Sequence, residues 1–287
     1  MAIGLSAVLP LVFAPPAAAE GIYGIEAGAF YDSNLTQAQN APDVRADGAA
    51  TLSAFAGSFA ALSGEDAFTL SVDARGEAYH RFRGLNLLGA GASAEYRHKF
   101  GLGYAAPWLR FVGSAEYDGY QQNLRTGARW SALIELGRRF SEQLDAAIGG
   151  SLERRYAQNG EPVVPGIPGT VFNLRGESAY LRAAYAVSEP LLVAGRFEVR
   201  RGDVVSSTRR NLAIFEASSA IAADPTFGSD FFAYRLRGTT GTITASASWA
   251  LDASSSLNLS YAGERTRAYD DLNYRGYRID FSYAYRY

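Results

Sequence analysis

Few residues in this sequence could carry out nucleophilic or metal chemistry. The 287 residues include no cysteine and only two histidines, His80 and His98. The absence of cysteine excludes a thiolate nucleophile, a disulfide framework and a thiolate metal site. His80 is followed by no serine and has no adjacent aspartate, and no metal-ligand spacing is present. We therefore expect no catalytic residues, no metal site and no cofactor.

The charged residues follow a regular pattern instead. Between Phe68 and Tyr79, apolar or small residues alternate with polar ones that include Asp73, Arg75 and Glu77. A period of two indicates a β-strand whose two faces meet different surroundings, because a helix would scatter these charges. Asp73 and Glu77 share one face at a spacing usable for acid–base work. The arginine between them favours a salt-bridged surface.

The same period recurs along the chain and predicts about twelve strands. Clear copies lie at 88–97, 109–118, 129–136, 191–200, 257–262 and 274–287, and weaker copies at 22–31, 46–61, 144–155, 176–187 and 238–250. Most have about nine to twelve residues, the length with which a tilted strand crosses a bilayer. Short and long connections alternate, as in outer-membrane barrels. The pattern predicts an all-β fold, a transmembrane antiparallel up-and-down β-barrel of about 12 strands.

Two features favour a membrane barrel over a water-soluble one. The apolar face has almost no charge near strand centres, where a charge in lipid would cost about 2–4 kcal/mol. Aromatic residues cluster at the strand ends, as in the girdles of membrane barrels: Tyr31, Phe59, Phe82, Tyr96, Phe100, Trp108, Tyr117, Tyr120, Trp130, Phe140, Tyr156, Tyr185, Trp249, Tyr261 and Tyr277.

The polar face of such a barrel lines its lumen. The candidate pore-lining residues are Asp73, Arg75, Glu77, Glu95, Arg97, Arg110, Glu116, Arg129, Glu135, Arg182, Arg196, Glu198, Arg200, Arg278 and Asp280. Lys99 is the only lysine among 27 basic residues. The guanidinium groups could bind anionic sugars or phosphate, and a GC-rich genome would give the same bias. The formal net charge of -2 predicts no strong anion selectivity and no nucleic-acid partner.

The first 19 residues have the features of an export signal. Residues 1–19 carry no charge, and an apolar run at 3–13 precedes Ala17, Ala18 and Ala19. The pattern predicts a cleaved signal peptide at 1–19 and one barrel domain at 20–287. A transmembrane anchor is the alternative, but prolines interrupt the run. The usual basic n-region is missing, so translation is expected to start upstream.

Two short motifs carry a family resemblance. The run Tyr31-Asp32-Ser33-Asn34 resembles the "YDSN" run of proteobacterial outer-membrane barrels. These include β-barrel porins found near exopolysaccharide clusters and the barrel part of surface lipoprotein assembly modifiers. The final strand resembles the C-terminal signal that such proteins present to the barrel-assembly machinery, with one apolar face formed by Tyr277, Ile279, Phe281, Tyr283, Tyr285 and Tyr287. The resemblance implies the outer membrane of a Gram-negative bacterium.

The leading hypothesis is a narrow porin or channel for small hydrophilic solutes, saccharides among them, since twelve strands give a lumen of intermediate width. The alternative is a non-conducting barrel for surface assembly, polysaccharide export or adhesion, and an outer-membrane hydrolase comes third. Expected partners are membrane lipid, lipopolysaccharide, the barrel-assembly machinery and a small solute. The long loop 201–232 contains a short apolar stretch that would form a constriction, cap the mouth or bind a surface partner.

Overall fold

A computed structural model of the protein describes residues 20–269 and 272–287. The predicted signal peptide at 1–19 lies outside the described residues. The elements in chain order are β1 (Glu20–Asp32), β2 (Asp47–Ala61), β3 (Asp66–Tyr79), β4 (Leu87–Lys99), β5 (Trp108–Tyr120), β6 (Gly127–Arg139), β7 (Leu144–Ala157), β8 (Leu174–Ala186), β9 (Leu191–Arg209), α1 (Leu212–Ala217), β10 (Ala220–Ala223), β11 (Phe231–Ala250), β12 (Ser255–Ala268) and β13 (Asn273–Arg286). Short 3-10 turns lie at Ala41–Asp43, Arg83–Leu85 and Asn123–Arg125.

Twelve of these strands form a closed antiparallel barrel. Neighbours pair in chain order from β1 to β9 and from β11 to β13. Closure comes from β13 pairing with β1, where Tyr283 lies opposite Ala27. β9 pairs with β11, where Phe197 lies opposite Ile243. The predicted up-and-down barrel of about twelve strands is confirmed. Strand β10 is a short addition beside the outer end of β11.

The outer face of the barrel is apolar and exposed. Residues opposite each other in neighbouring strands point to the same side. Leu136, Ile148, Leu181, Phe197 and Ile243 therefore form one row on five neighbouring strands. Their exposed fractions lie between 48% and 62%. Such a row is favourable only against lipid, so the barrel stands in the outer membrane, as predicted.

The outer end of the barrel carries the two longest loops, at 33–46 and 158–173. We name the loops at this end L1 (33–46), L2 (80–86), L3 (121–126) and L4 (158–173), and we call residues 203–237 the cap. Long loops of outer-membrane barrels face the cell exterior and short turns face the periplasm. Helix α1 lies in the cap and has six residues. Within the described residues, no helix is long and apolar enough to cross a membrane.

Four aromatic residues are not in the girdles where the sequence placed them. Phe59 lies opposite Glu20 and Thr69, in the register of the inner face. Trp108 lies on the inner face and is 6% exposed. A β-carbon at Gly137, its partner on β6, would lie 2.1 Å from the indole ring, so this glycine makes room for the tryptophan. Tyr120 also points inward, where the Arg155 guanidinium lies 5.4 Å from its ring. Phe82 lies in L2 and packs under the cap against Phe227.

The predicted loop 201–232 is also largely a folded extension of the barrel wall. β9 runs to Arg209 and β11 begins at Phe231, so the two strands pair beyond the ends of their neighbours. β10 adds a third strand to this extension. The segment 201–209 shows no apolar alternation, because contacts cover both of its faces at the level of Ser206 and Ser207.

Candidate functional site

The strand register places every candidate pore-lining residue on the inner face. Glu77, for example, lies opposite Leu87 of β4, and Arg129 lies opposite Glu116 of β5. Inward orientation follows from the alternation of side chains along each strand, which also directs Phe197 and Val199 to the lipid side. Their role in lining a conducting pore stays a proposal.

One ion-pair network joins β3, β5 and β6 in the outer half of the lumen. The Arg75 Nη2 atom lies 2.7 Å from Asp118 Oδ1 and 3.3 Å from Glu116 Oε2. Glu116 also accepts a hydrogen bond from Arg129. Asp118 is 3% exposed. The sequence placed these residues on one face, and the structure shows them as one connected group.

A second network is centred on Glu135, which is 1% exposed. Arg182 donates to both carboxylate oxygens, at 2.8 and 3.0 Å, and Arg110 lies 3.2 Å away. The Tyr180 hydroxyl donates a third hydrogen bond, at 2.9 Å. The bidentate pair and the additional donors compensate for the cost of burying this carboxylate. Arg110 makes a longer contact with Glu95, at 3.5 Å.

Arginines also pack against aromatic rings inside the barrel. Arg97 and Arg182 lie 5.0 and 5.6 Å from the centre of the Trp108 ring. Arg278 lies 3.6 Å from the Phe30 ring and donates to Asp280. Further round the wall, Arg196 packs on the Tyr180 ring and donates to Glu198. These rings fix the guanidinium planes along the wall.

The ion pairs run along the wall and not across the lumen. Every lumen pair described above joins residues of one strand or of strands no more than two positions apart in the barrel. The side chains of Arg75, Arg110, Arg129 and Arg182 stay 30–31% exposed. In the described ranges, no salt bridge connects opposite walls of the barrel. The charge pairs therefore lie along the wall.

Several lumen charges have no ion pair among the described residues. They include the predicted residues Asp73, Glu77, Arg97 and Arg200, and also Glu26 on β1. Glu77 accepts a hydrogen bond from the Tyr79 hydroxyl, and Arg200 donates to the Asp203 carbonyl. Glu26 lines a cavity of about 260 Å³ in the periplasmic half, together with Asp280 and the serines 246, 260 and 282.

The cap crosses the outer mouth of the barrel. β3 and β4 stand on the wall opposite β11 in the strand order. Phe227 of the cap nevertheless packs against Phe82 of L2, with ring centres 5.1 Å apart. The Ser207 backbone N–H donates to the Thr36 carbonyl of L1 at 2.8 Å. L4 contributes the Pro168 carbonyl, which accepts from Ile221 at 2.9 Å.

The cap has an apolar core of its own. Val204, Ile214, Ile221 and Leu236 are between 0% and 6% exposed and pack with Tyr274 of β13. A second cluster joins Leu124 of L3 and Val171 and Phe172 of L4 to three cap alanines. Burial of each large side chain contributes about 1.5–3 kcal/mol. This burial stabilises the fold of the cap, and the second cluster also holds the cap against L3 and L4.

A buried salt bridge fastens the cap to L3. Arg125 donates two hydrogen bonds to Asp224, at 3.0 and 2.6 Å, and the Ser207 hydroxyl donates a third. Burial opposes ionisation of Asp224, but the charge and hydrogen bonds of Arg125 outweigh it. The pKa of this carboxyl therefore lies below its ordinary value. Asp224 is thus an anion at neutral pH.

Other predicted residues lie apart from these networks. His80 follows β3 at the outer end, whereas His98 is near the periplasmic end of β4 and 2.8 Å from Asp66. The apolar residues of the proposed C-terminal signal share the lipid face of β13, and Tyr277, Ile279, Phe281 and Tyr283 are 40–52% exposed. Arg125 and Asp224 carried no recognisable sequence signal, because 99 residues separate them.

No protein-family model and no curated protein sequence matches the chain. An outer-membrane channel from Pseudomonas putida F1 aligns over 98% of this chain and 100% of its own, with a TM-score of 0.58 and 11% identity. The toluene transporter TodX of Pseudomonas putida covers 95% of this chain and 90% of its own, at a TM-score of 0.46 and 10% identity. The outer-membrane channel DcaP of Acinetobacter baumannii aligns over 96% of this chain and 99% of its own, with a TM-score of 0.45 and 9% identity. The first likeness shows that this chain has the fold of an outer-membrane β-barrel.

Proposed function

We propose that the protein is a narrow channel for small hydrophilic solutes, saccharides included, whose outer mouth is closed by the cap. The observation that supports this function best is the direction of the lumen ion pairs. Because they run along the wall, they hold the long arginine side chains flat and leave the axis to water. A lumen closed by charge pairs would show contacts between opposite walls.

The chemistry of the wall suits polar solutes of either sign. Carboxylates and guanidinium groups alternate on the inner face, and serines line the periplasmic cavity around Glu26. Hydroxyl-rich solutes can exchange hydrogen bonds with these groups in place of water. The nearly balanced charges predict weak ion selectivity. The aligned channel of Pseudomonas putida F1 agrees with transport and not with catalysis, and we propose no enzymatic activity.

The proposed partners follow from the position in the membrane. The lipid face of β13 ends in aromatic residues, which supports recognition of this strand by the barrel-assembly machinery. Exposed arginines near the outer ends of β7, β8 and β12, namely Arg154, Arg175 and Arg267, support contact with lipopolysaccharide in the outer leaflet.

A second candidate function is supported by the cap itself. A permanently closed cap would make the protein a non-conducting barrel for surface assembly, polysaccharide export or adhesion. The apolar core of the cap and its contacts with L1 to L4 favour this alternative.

Planar-bilayer conductance separates the two candidates. Residues 20–287 are refolded and inserted, and current is recorded with and without added neutral and acidic sugars. A channel gives discrete current steps that rise when the cap is loosened. A folded barrel that stays silent even with a loosened cap would favour the non-conducting alternative.

A further inference from the structure

The lipid-facing surface carries a recess where β9 and β11 bend towards the cap. Gly176, Gly202 and Gly238 lie directly opposite one another on β8, β9 and β11. Gly202 has a φ of +153°, and a β-carbon there would lie 2.3 Å from the Arg175 carbonyl oxygen. Glycine thus permits the close approach at this bend. On the outer side lies a concave recess of about 660 Å³.

Five arginines line this recess and all are exposed: Arg154, Arg175, Arg201, Arg237 and Arg267. In contrast to most lumen arginines, none of the five takes part in a salt bridge within residues 20–269 and 272–287. Two carboxylates share the lining: Glu177, which lies directly opposite Arg201 of β9, and Glu153 of β7. Nearby Asp203 is buried and accepts the Arg175 backbone N–H at 3.0 Å. The recess therefore has a clear excess of positive charge.

The strand register brings these charges together. Arg154 lies directly opposite Arg175, an arrangement of like charges that destabilises a sheet unless an anion lies between them. Arg201 lies opposite Thr239, and Thr239 lies opposite Arg267. Opposed residues have β-carbons about 4.5–5.5 Å apart. Several guanidinium groups can therefore reach one anion, and the threonine hydroxyl adds a donor.

The edges of the recess indicate an amphiphilic occupant. Trp130 and Leu152 form its lower edge, are 39% and 54% exposed, and continue the apolar belt. Tyr269 lies at the upper edge, 66% exposed, and is available to stack on a sugar ring. A ligand that meets both edges has apolar chains below and an anionic headgroup above.

We infer that this recess binds a phosphate group carried by a glycolipid of the outer leaflet. Planar guanidinium groups bind phosphate oxygens in pairs, and several of them converge here. The inference rests on the proposed contact with lipopolysaccharide and gives that contact a location. It does not depend on conduction, because the five arginines lie on the outer face; among the charged residues of the lining, only Glu153 is on the inner face.

Native mass spectrometry of the refolded barrel with purified bisphosphorylated lipid A tests this site. The test variant is Arg154→Gln/Arg175→Gln. The control is Arg81→Gln/Arg83→Gln, which removes two exposed charges from L2 on the opposite wall. We expect the test variant to bind at least about tenfold more weakly and the control to match the wild type, because one charged hydrogen bond contributes about a factor of ten. Circular dichroism checks folding, and Arg201→Gln/Arg267→Gln replaces a variant that fails to fold.

Three results would overturn the inference. The first is equal binding by the wild type and the test variant. The second is equal binding of lipid A and its fully dephosphorylated form. The third is displacement of lipid A by an equal concentration of inorganic phosphate, which would identify a site for a free anion. A barrel that binds lipid A through these arginines but never conducts would refute the channel and leave this site standing.

Discussion

Arg125 of L3 and Asp224 of the cap form a bidentate salt bridge across the outer mouth, with N–O distances of 3.0 and 2.6 Å. Both side chains are buried, and Phe172 and Phe227 flank the guanidinium at 4.7 and 5.4 Å. Such a pair gains little over an apolar contact, but loss of one partner leaves an uncompensated buried charge. We call this salt bridge the latch. Its presence adds little stability to the closed cap, but removal of one partner should destabilise the closed cap strongly.

Replacement of one latch partner should loosen the cap. We expect Asp224→Asn to destabilise the closed position by about 3–5 kcal/mol, because Arg125 then stays buried without its anion. Single-channel recording should show more frequent or longer open events. Arg209→Gln is the comparison variant. Arg209 joins the cap to the buried Asp43 of L1, but its own side chain is 45% exposed, so water screens this pair and its loss should open the cap less than Asp224→Asn does. Equal gating of both variants would contradict the latch.

The Arg125–Asp224 salt bridge should weaken only at acidic pH. The pKa of Asp224 is lowered in the closed cap. Its contribution to closure is therefore complete above the ordinary carboxyl pKa of about 4, and it is lost as the pH falls through the lowered value. We expect the difference in open probability between the wild type and Asp224→Asn to be constant from pH 8 to about 5 and to shrink below about 4. A difference that disappears near pH 6 would show that another group controls the cap.

Lumen charges without an ion pair should determine the weak preference of the channel for cations or anions. Arg97→Glu should shift the reversal potential in a salt gradient towards cations, and Glu26→Arg should shift it towards anions. Each shift should correspond to a change in permeability ratio of roughly twofold or more, because these charges lie on the conduction path. Arg265→Glu makes the same change in charge on the outer face of β12. If Arg97→Glu and Arg265→Glu have the same effect, Arg97 does not line the pore.

The network around Glu135 should carry much of the stability of the wall. Glu135→Gln leaves Arg110 and Arg182 without their shared buried anion. We expect a loss of about 2–4 kcal/mol in the free energy of unfolding, allowing for the partial exposure of both arginines. Glu95→Gln removes a single long contact and should cost less than about 1 kcal/mol. Urea unfolding in detergent followed by tryptophan fluorescence gives both values, and similar losses would argue against a central role for Glu135.

The alternation of side chains predicted which residues line the barrel wall, but it did not predict the structure of the cap at the outer mouth. Charges such as Arg129 and Glu135 could be assigned to the inner face because every second residue of a strand points the same way. Trp108 and Tyr120 were misplaced because aromatic residues near strand ends usually belong to the lipid girdle. The opposing Gly137 was the available signal that an indole ring lies inside.

The cap could not be derived from local pattern. Ser206 and Ser207 lie in a polar segment that reads as a loop, yet tertiary contacts cover both residues and complete a strand. The Arg125–Asp224 pair joins segments 99 residues apart, and one sequence contains no signal for such a pairing. The period of the polar pattern and the strand propensity of the residues describe positions that are close in sequence. The structure of the cap depends instead on contacts between loops that are far apart in sequence.

A reversible lock on the cap tests the central claim most directly. A β-carbon at Gly84 would lie 2.9 and 3.1 Å from the Thr226 side-chain oxygen and methyl carbon, so cysteines at both positions would have β-carbons roughly 4 Å apart, as in a disulfide. The chain has no other cysteine. Conductance is measured for Gly84→Cys/Thr226→Cys/Asp224→Asn, oxidised and then reduced. We predict silence when oxidised and sugar-sensitive current steps after reduction, and identical conductance in both states would contradict a channel closed by its cap.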